Sequence, residues 1–191
     1  MKILGGTLRG RVLESGPKSA HLRPILARIK KSVFDIIRPY LPGARFLDVY
    51  AGTGSVGLEA LSEGASRAVF LEKDRRSASL IRENIAKLKL DNQAEVYGLD
   101  AAGNLSSLPK PFDIVFMGPP YVDEAKTMLN LTAPTLEQIR KYELLAPQGF
   151  VIAQHHKKEI VTDSDAWLVK REERYGDSIV TFLKLRSAGP E

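Results

Sequence analysis

Asp48-Val49-Tyr50-Ala51-Gly52-Thr53-Gly54-Ser55-Val56-Gly57 is the stretch on which the fold turns. It continues an apolar run, Phe46–Tyr50, and leads into a helical pattern that reaches Gly64. Gly52, Gly54 and Gly57 therefore place G-x-G-x-x-G between a strand and a helix, the context in which that spacing carries meaning. Glycine lets the chain turn sharply there and lets a ligand approach bare backbone. Downstream the same rhythm continues: Ala68–Glu72, a helix over 75–89, then Glu95–Tyr97, Ile114–Met117 and Phe150–Ala153 as further short apolar runs. Strands alternating with helices predict β-α-β units and an open, mostly parallel α/β sheet whose ligands lie at the strands' C-terminal ends. Trp167–Tyr175 and Ser178–Leu185 flank Gly176-Asp177, a hairpin signal, so the sheet is expected to finish in an antiparallel pair.

Upstream of the glycine turn the pattern differs. Lys2 to Glu14 alternates weakly and holds glycines at 5, 6 and 10, which suggests a small hairpin. Ser15–Arg23 reads as a loop leading to Pro24, a favoured first helical residue because its missing N–H would be unpaired there. In the helix that follows, Leu26, Ile29, Val33, Ile36 and Ile37 form one apolar stripe, and Arg28, Lys31, Asp35 and Arg38 form the opposite one. The chain then divides into a basic hairpin-and-helix extension over 1–44, a ligand-binding domain over 45–186 and a short disordered tail over 187–191.

Composition limits the function classes. With 191 residues, 43% of them hydrophobic, the chain can bury one substantial core. The absence of cysteine excludes disulfides, thiolate metal sites and cysteine nucleophiles. The first apolar run is too short for a secretion signal, and none approaches the ~20 residues of a membrane helix, so a soluble, cytoplasmic protein is expected. Charge is uneven. Residues 1–45 carry ten Lys/Arg against Glu14 and Asp35, a net of +8, and since the whole chain is +5 the remainder is −3. Such a segment is either a polyanion-contacting arm or a solvated basic face, and charge alone leaves both open.

Three acids narrow the ligand. Glu72, 18 residues beyond Gly54 at the end of the second strand, can accept hydrogen bonds from both hydroxyls of a ribose. Asp48 enters the glycine turn, where a carboxylate repels the pyrophosphate of a dinucleotide but attracts the ammonium and sulfonium of S-adenosylmethionine. Asp100 stands at the same sheet edge, placed for an adenine amine. Singly, each reads as an ordinary loop or cap residue; together they favour the methyl donor over a nicotinamide cofactor. Phe112-Asp113-Ile114-Val115-Phe116-Met117-Gly118-Pro119-Pro120-Tyr121 then ends a strand abruptly, because proline cannot donate to a ladder. It is either a rigid turn or an active-site wall facing a planar substrate. His155-His156 lack acidic partners at metal spacing and read as loop residues, no metal site is expected, Asp123 and Glu124 read as a cap for the next helix, and Trp167 reads as core.

These features resemble a class I methyltransferase, and more narrowly the RsmD family, which methylates a guanine amine in bacterial 16S ribosomal RNA. The resemblance rests on Ile3-Leu4-Gly5-Gly6, Leu8-Arg9-Gly10-Arg11, Leu22-Arg23-Pro24, Val33-Phe34-Asp35-Ile36-Ile37, Leu47–Gly54, Phe70-Leu71-Glu72-Lys73-Asp74 and Tyr175-Gly176-Asp177-Ser178, over roughly residues 1–185. It implies a Rossmann-like fold with S-adenosylmethionine as cofactor. Asp48 with Tyr50, Ala51, Gly52, Thr53 and Gly54 would hold the methionine moiety, Glu72 and Lys73 the ribose side, and Asp100 with Ala101 the adenine. Gly118, Pro119, Pro120 and Tyr121 would hold the target base, and Arg9, Arg11, Arg23, Lys30 and Lys31 would contact RNA. The implied substrate is small-subunit ribosomal RNA, free or within a 30S particle, and the implied state is a monomer. Two positions depart from the family pattern: Gly118 stands where Asp or Asn usually precedes Pro-Pro-Tyr, and Ile25 where a polar residue usually follows Arg-Pro. Gly118 keeps open an inactive relative that binds cofactor and ribosomal RNA as an assembly factor. A nicotinamide-dependent oxidoreductase is the remaining alternative, opposed by Asp48 and the proline wall.

Overall fold

The computed structural model describes residues 1–15 and 25–186. Seven strands form one sheet: β1 (Arg45–Val49), β2 (Arg67–Leu71), β3 (Ala94–Tyr97), β4 (Phe112–Met117), β5 (Leu145–His156), β6 (Trp167–Tyr175) and β7 (Ser178–Leu185). Their order is β3-β2-β1-β4-β5-β7-β6. The first five run parallel, and β7 enters antiparallel between β5 and β6. This is the expected mostly parallel α/β sheet finished by a hairpin, whose two strands have the predicted bounds. The order reverses between β1 and β4, and a sheet of this kind binds ligands at that switch point.

Alternation along the strands decides which helices lie where. Phe46, Phe70, Ile114, Phe116 and Ile152 face a cluster with α1 (Ala27–Ile37), α2 (Ser55–Ser62) and α3 (Arg75–Leu88). Leu47, Val49, Val115, Met117 and Val151 face the other side, covered by α4 (Thr132–Lys141), Leu105 and Leu108. Trp167 belongs to this second cluster, as its sequence context suggests. Fully burying each such Phe or Leu contributes about 1.5–3 kcal/mol, so the sheet's two faces supply most of the fold's stability.

The N-terminal segment is knit into this core. Ile3 and Leu13 join the cluster of Ile29, Val33, Phe34 and Ile37. Instead of a hairpin of regular strands, residues 1–15 form a small irregular one: a single bridge, Lys2 with Val12, flanked by the Ile3 amide on the Arg11 carbonyl and the Leu13 amide on the Met1 carbonyl, with further bonds going to α2. Leu4 and Gly5 N–H groups both donate to Glu59 Oε1 at 2.7 Å, and Leu8 N–H donates to Ser62 Oγ at 2.9 Å. Gly6, at φ 70°, leaves no room for a side chain, since a Cβ would fall 1.8 Å from the Ser62 carbonyl oxygen.

This docking corrects the reading of Lys30 as an RNA-contacting surface residue. Lys30 is only 2% exposed, with its Nζ 2.6 Å from Glu59 Oε2 and 3.2 Å from the Lys2 carbonyl. The same Glu59 holds Leu4 and Gly5, so the pair clamps α1, α2 and the N-terminal strand-like segment together. Other details also differ. Leu26 is exposed, because it precedes the first helical turn. Asp123 accepts from the Thr127 amide at 2.8 Å within its own loop, and the next helix begins only at Thr132. His155 and His156 end β5 instead of lying in a loop; His155 is buried, with Nε2 2.9 Å from Thr181 Oγ1. Burial holds its pKa below the usual imidazole value. Arg23 and Pro24, and the tail from 187, lie outside the described residues. Among the described residues, no helix is long and apolar enough to cross a membrane.

Candidate active site at the β1–β4 switch point

The glycine turn leaves β1 at the centre of the sheet, and its geometry follows from which backbone groups must be bonded. Tyr50, Gly52 and Gly54 all have positive φ, at 63°, 56° and 75°, and this sharp turn delivers α2 back over the sheet. Gly54 is the N-cap of α2 and offers no side-chain oxygen. Asp48 does that work from below: its Oδ2 accepts from Gly57 N–H at 2.9 Å, at the third position of the helix. Gly57 itself must lack a side chain, because a Cβ would lie 2.4 Å from the Phe70 ring.

Asp48 is 1% exposed, and burial pushes its carboxyl up to about 8, with the Gly57 bond opposing and the nearby Glu72 reinforcing the rise. The seat where a helix N-terminus would otherwise take a phosphate is thus occupied by the chain's own carboxyl group. The donor set fits a cationic, hydroxyl-bearing ligand and does not fit a pyrophosphate.

Glu72 follows β2 and ties this edge together. Oε2 accepts from Gly52 N–H and Oε1 from Asp74 N–H, each at 2.8 Å. Half-buried, it titrates above the ordinary Glu value, chiefly through desolvation. Asp100 lies beyond β3 in more open surroundings; the Ala102 amide at 3.0 Å, and then Lys73 at 3.1 Å, hold its pKa below the usual range. Ala101 beside it is buried in the second core cluster. Sequence positions 48, 50–54, 72, 73, 100 and 101 are therefore brought to one sheet edge, though Asp48 lies beneath it and Thr53 is buried.

Across the switch point, Met117 pairs in register with Val49, and Gly118 N–H reaches the Val49 carbonyl at 3.4 Å. Gly118 is partly exposed, Pro119 buried and Pro120 exposed. Tyr121 differs from a free stacking platform. It is 9% exposed, its hydroxyl donates to Ser178 Oγ at 3.0 Å and accepts from Gln154 Nε2 at 3.1 Å. Its ring meets His156 edge to face at 5.5 Å. In this state Tyr121 supports the wall from within.

The basic residues separate into two groups. Arg9 and Arg11 are exposed on a turn that docks on Ser62, the last residue of α2. That is the edge where the strands begin, since Gly43, just before β1, bonds Gly64. Lys31 is exposed and paired with Asp35 at 2.6 Å. Arg28, by contrast, is exposed beside Gly176 in the β6–β7 turn, and Ser178, the first residue of β7, pairs with His156 at the end of β5. Among the described residues Arg28 has no ion pair. Its sequence signal, one member of a basic helical stripe, does not reveal its place beside the β6–β7 turn.

Comparisons with known proteins bear on the family and the fold. The profile of a family described as conserved hypothetical protein 95 matches residues 1–184. A Bacillus subtilis (strain 168) protein provisionally named rRNA methyltransferase YlbH is 32% identical over 191 residues, covering 97% of this chain and 100% of its own. The ribosomal RNA small subunit methyltransferase D of Haemophilus influenzae is 31% identical over 182 residues, covering 92% of this chain and 89% of its own. Among solved structures, one provisionally titled methyltransferase yhhF from Escherichia coli superposes with a TM-score of 0.82 at 28% identity, covering 99% of both chains.

Proposed function

The chain belongs to the RsmD family, described as conserved hypothetical protein 95, and on that premise we propose that it methylates the exocyclic amine of a guanine in small-subunit ribosomal RNA, using S-adenosylmethionine. The observation that carries this reading is the juxtaposition at the switch point. A glycine turn bonded to Glu72 stands beside a Gly-Pro-Pro-Tyr wall on the adjacent strand.

S-adenosylmethionine, when bound, supplies a methyl group on a positively charged sulfur. Glu72 keeps free lone pairs on both oxygens and would accept the two ribose hydroxyls, while Asp100 and Ala101 would border the adenine. Asp48 lies under the turn as a carboxyl that ionises more readily once positive charge sits above it. The turn's own N–H and carbonyl groups, from Tyr50 to Gly54, would hold the amino-acid end. On the far side, a guanine amine is a weak nucleophile because its lone pair is delocalised into the ring. The wall's task is positioning: the Gly118 carbonyl accepts one amine hydrogen, and Pro119 and Pro120 restrict the amine's approach. Arg28 and the basic N-terminal residues Arg9, Arg11, Arg23 and Lys31 would meet phosphates.

The test is methyl incorporation from labelled S-adenosylmethionine into small-subunit ribosomal RNA lacking the modification, as naked RNA and as assembled particles. Nucleoside mass spectrometry should then show N2-methylguanosine. A different methylated nucleoside would overturn the guanine assignment. Gly118 favours one second reading, an inert assembly factor, and normal binding of cofactor and RNA without incorporation would select it.

A further inference from the structure

Between the start of α4 and the turn after β5 lies a recess of about 270 Å³, lined by Asn130, Thr132, Ala133, Lys158, Glu159 and Ile160. At ~30 Å³ per water it has room for roughly nine of them. Thr132 and Glu159 are 1% and 8% exposed. Glu159 Oε2 accepts from the Thr132 amide at 3.1 Å and so caps α4, a task its N-cap residue Leu131 cannot perform. Glu159 Oε1 and Thr132 Oγ1, however, have no hydrogen-bond partner among the described residues. Buried polar atoms are normally paired, so two orphans on one recess call for an explanation.

Both sides of the recess connect to the site already described. Leu129 N–H bonds the Tyr121 carbonyl at 3.0 Å, and Thr135 Oγ1 lies 2.7 Å from the Tyr50 hydroxyl. Opposite, Glu159 N–H bonds the carbonyl of His156, whose ring packs on Tyr121. The recess therefore adjoins the Gly118–Tyr121 wall. Its two orphans are a carboxylate oxygen, which only accepts, and a hydroxyl, which can donate.

We propose that this recess receives the target base, with Glu159 Oε1 accepting from a ring N–H and Thr132 Oγ1 donating to the adjacent carbonyl oxygen. The proposal rests on the reading of Met117–Tyr121 as an amine-binding wall. A ring N–H beside a carbonyl is the pairing edge of guanine and uracil; adenine and cytosine present the opposite polarity. Of the two keto bases, only guanine also carries an exocyclic amine, on the other side of the ring N–H. The recess thus selects the base, and the wall selects the atom to be methylated. A base extruded from its stack is read by such edge contacts in a fitted pocket. Thr132 and Glu159 line the recess while the two orphan atoms themselves are buried, so contact with a base requires a side-chain adjustment at this rim, where Ile160 is 86% exposed.

Glu159→Gln separates reading from folding. Its amide oxygen can keep the Thr132 cap while an NH₂ group replaces Oε1, turning an acceptor into a donor. The full chain, ¹⁵N-labelled and saturated with cofactor, is titrated with guanosine, inosine and adenosine 5′-monophosphates. The Thr132, Ala133 and Glu159 amides should shift with the first two nucleotides and not with the third, and the response should vanish in Glu159→Gln. Methyl transfer to ribosomal RNA should fall about 10- to 100-fold in that variant at unchanged cofactor affinity, because a buried group is left facing the wrong polarity. Thr132→Val, which keeps the helix amide and removes only the hydroxyl, should weaken the same response and serves if Glu159→Gln does not fold. Equal shifts with all three nucleotides, no shifts with any, or wild-type transfer by both variants would each overturn the proposal. Inosine lacks the amine, so recess shifts with it in a protein that transfers no methyl group would sink the amine-methylation reading and leave the recess intact.

Discussion

Gly118→Asp tests whether the missing side chain limits the chemical step. The backbone at Gly118 lies outside the positive-φ region, so an L-residue is not strained there. A Cβ would stand 3.3 Å from Phe116 Cε1 and 3.7 Å from its Cζ, so the ring must yield by a few tenths of an ångström. That is mild overpacking, and the stability loss should stay near 1 kcal/mol. In the chemical step, an oriented acceptor beside the reacting amine is worth on the order of 100-fold, or about 2.7 kcal/mol, by comparison with loss of one preorganised polar group elsewhere. The assay is single-turnover methyl transfer with enzyme in excess over ribosomal RNA. Cofactor affinity is measured by calorimetry and RNA affinity by filter binding. Because an acceptor that orients and polarises the amine acts mainly in the transition state, the rate should rise while both affinities change little. Gly118→Asn should recover part of the gain without the added charge. If Gly118→Asp folds, binds both ligands normally and shows no increase, a side chain at this position is not what limits transfer. The reading of Met117–Tyr121 as an amine-binding wall would then fail.

Glu72→Ala should weaken S-adenosylmethionine by about 2 kcal/mol, since it removes the acceptor for two hydroxyls and frees the Gly52 and Asp74 amides; unchanged calorimetric affinity would remove Glu72 from the site. Asp48, pushed up from 3.8 to about 8 by burial, keeps a proton in the folded state that the unfolded chain releases. Its contribution to stability therefore falls as pH rises between those two values and is level above them. At pH 7 a cationic ligand should ionise this carboxyl and release up to one proton, visible as a binding heat that depends on the buffer's ionisation enthalpy; identical heats in phosphate and Tris would refute the coupling. Arg28→Ala should flatten the dependence of log RNA affinity on log salt by about 0.7–0.9, and if only the Arg9→Ala, Arg11→Ala double variant does so, the RNA approaches the edge where the strands begin.

Much of the fold was legible in local patterns. The strand, Gly-x-Gly turn and helix from Phe46 to Gly64, the alternation through Ile114–Met117 and the Gly176-Asp177 hairpin each rest on periods and turn chemistry spanning a few residues. The parallel sheet with its antiparallel end follows from such signals. The acids at 48, 72 and 100 were equally readable, because an acid at a strand's C-terminal end lies at a known sheet edge. What local pattern cannot supply is which partner a side chain meets across the fold. Lys30 and Lys31 are neighbours with the same charge, yet Lys30 turns inward because Glu59, 29 positions away on α2, waits there with Leu4 and Gly5 already bonded to it. Asp48 belongs to the glycine turn in sequence, but only the path of α2 makes it the cap of Gly57. Glu159 gave no sequence signal, since a lone Glu in a polar stretch has no periodicity to mark it. Its significance arises when β5 and α4 bring it within hydrogen-bonding distance of the Thr132 amide. Tyr121 and Ser178 are 57 residues apart, and it is the insertion of β7 beside β5 that puts one hydroxyl against the other. Short-range geometry set the elements and the order of the site's pieces, while burial, capping and the pairing of charges depended on contacts that form only when distant segments pack.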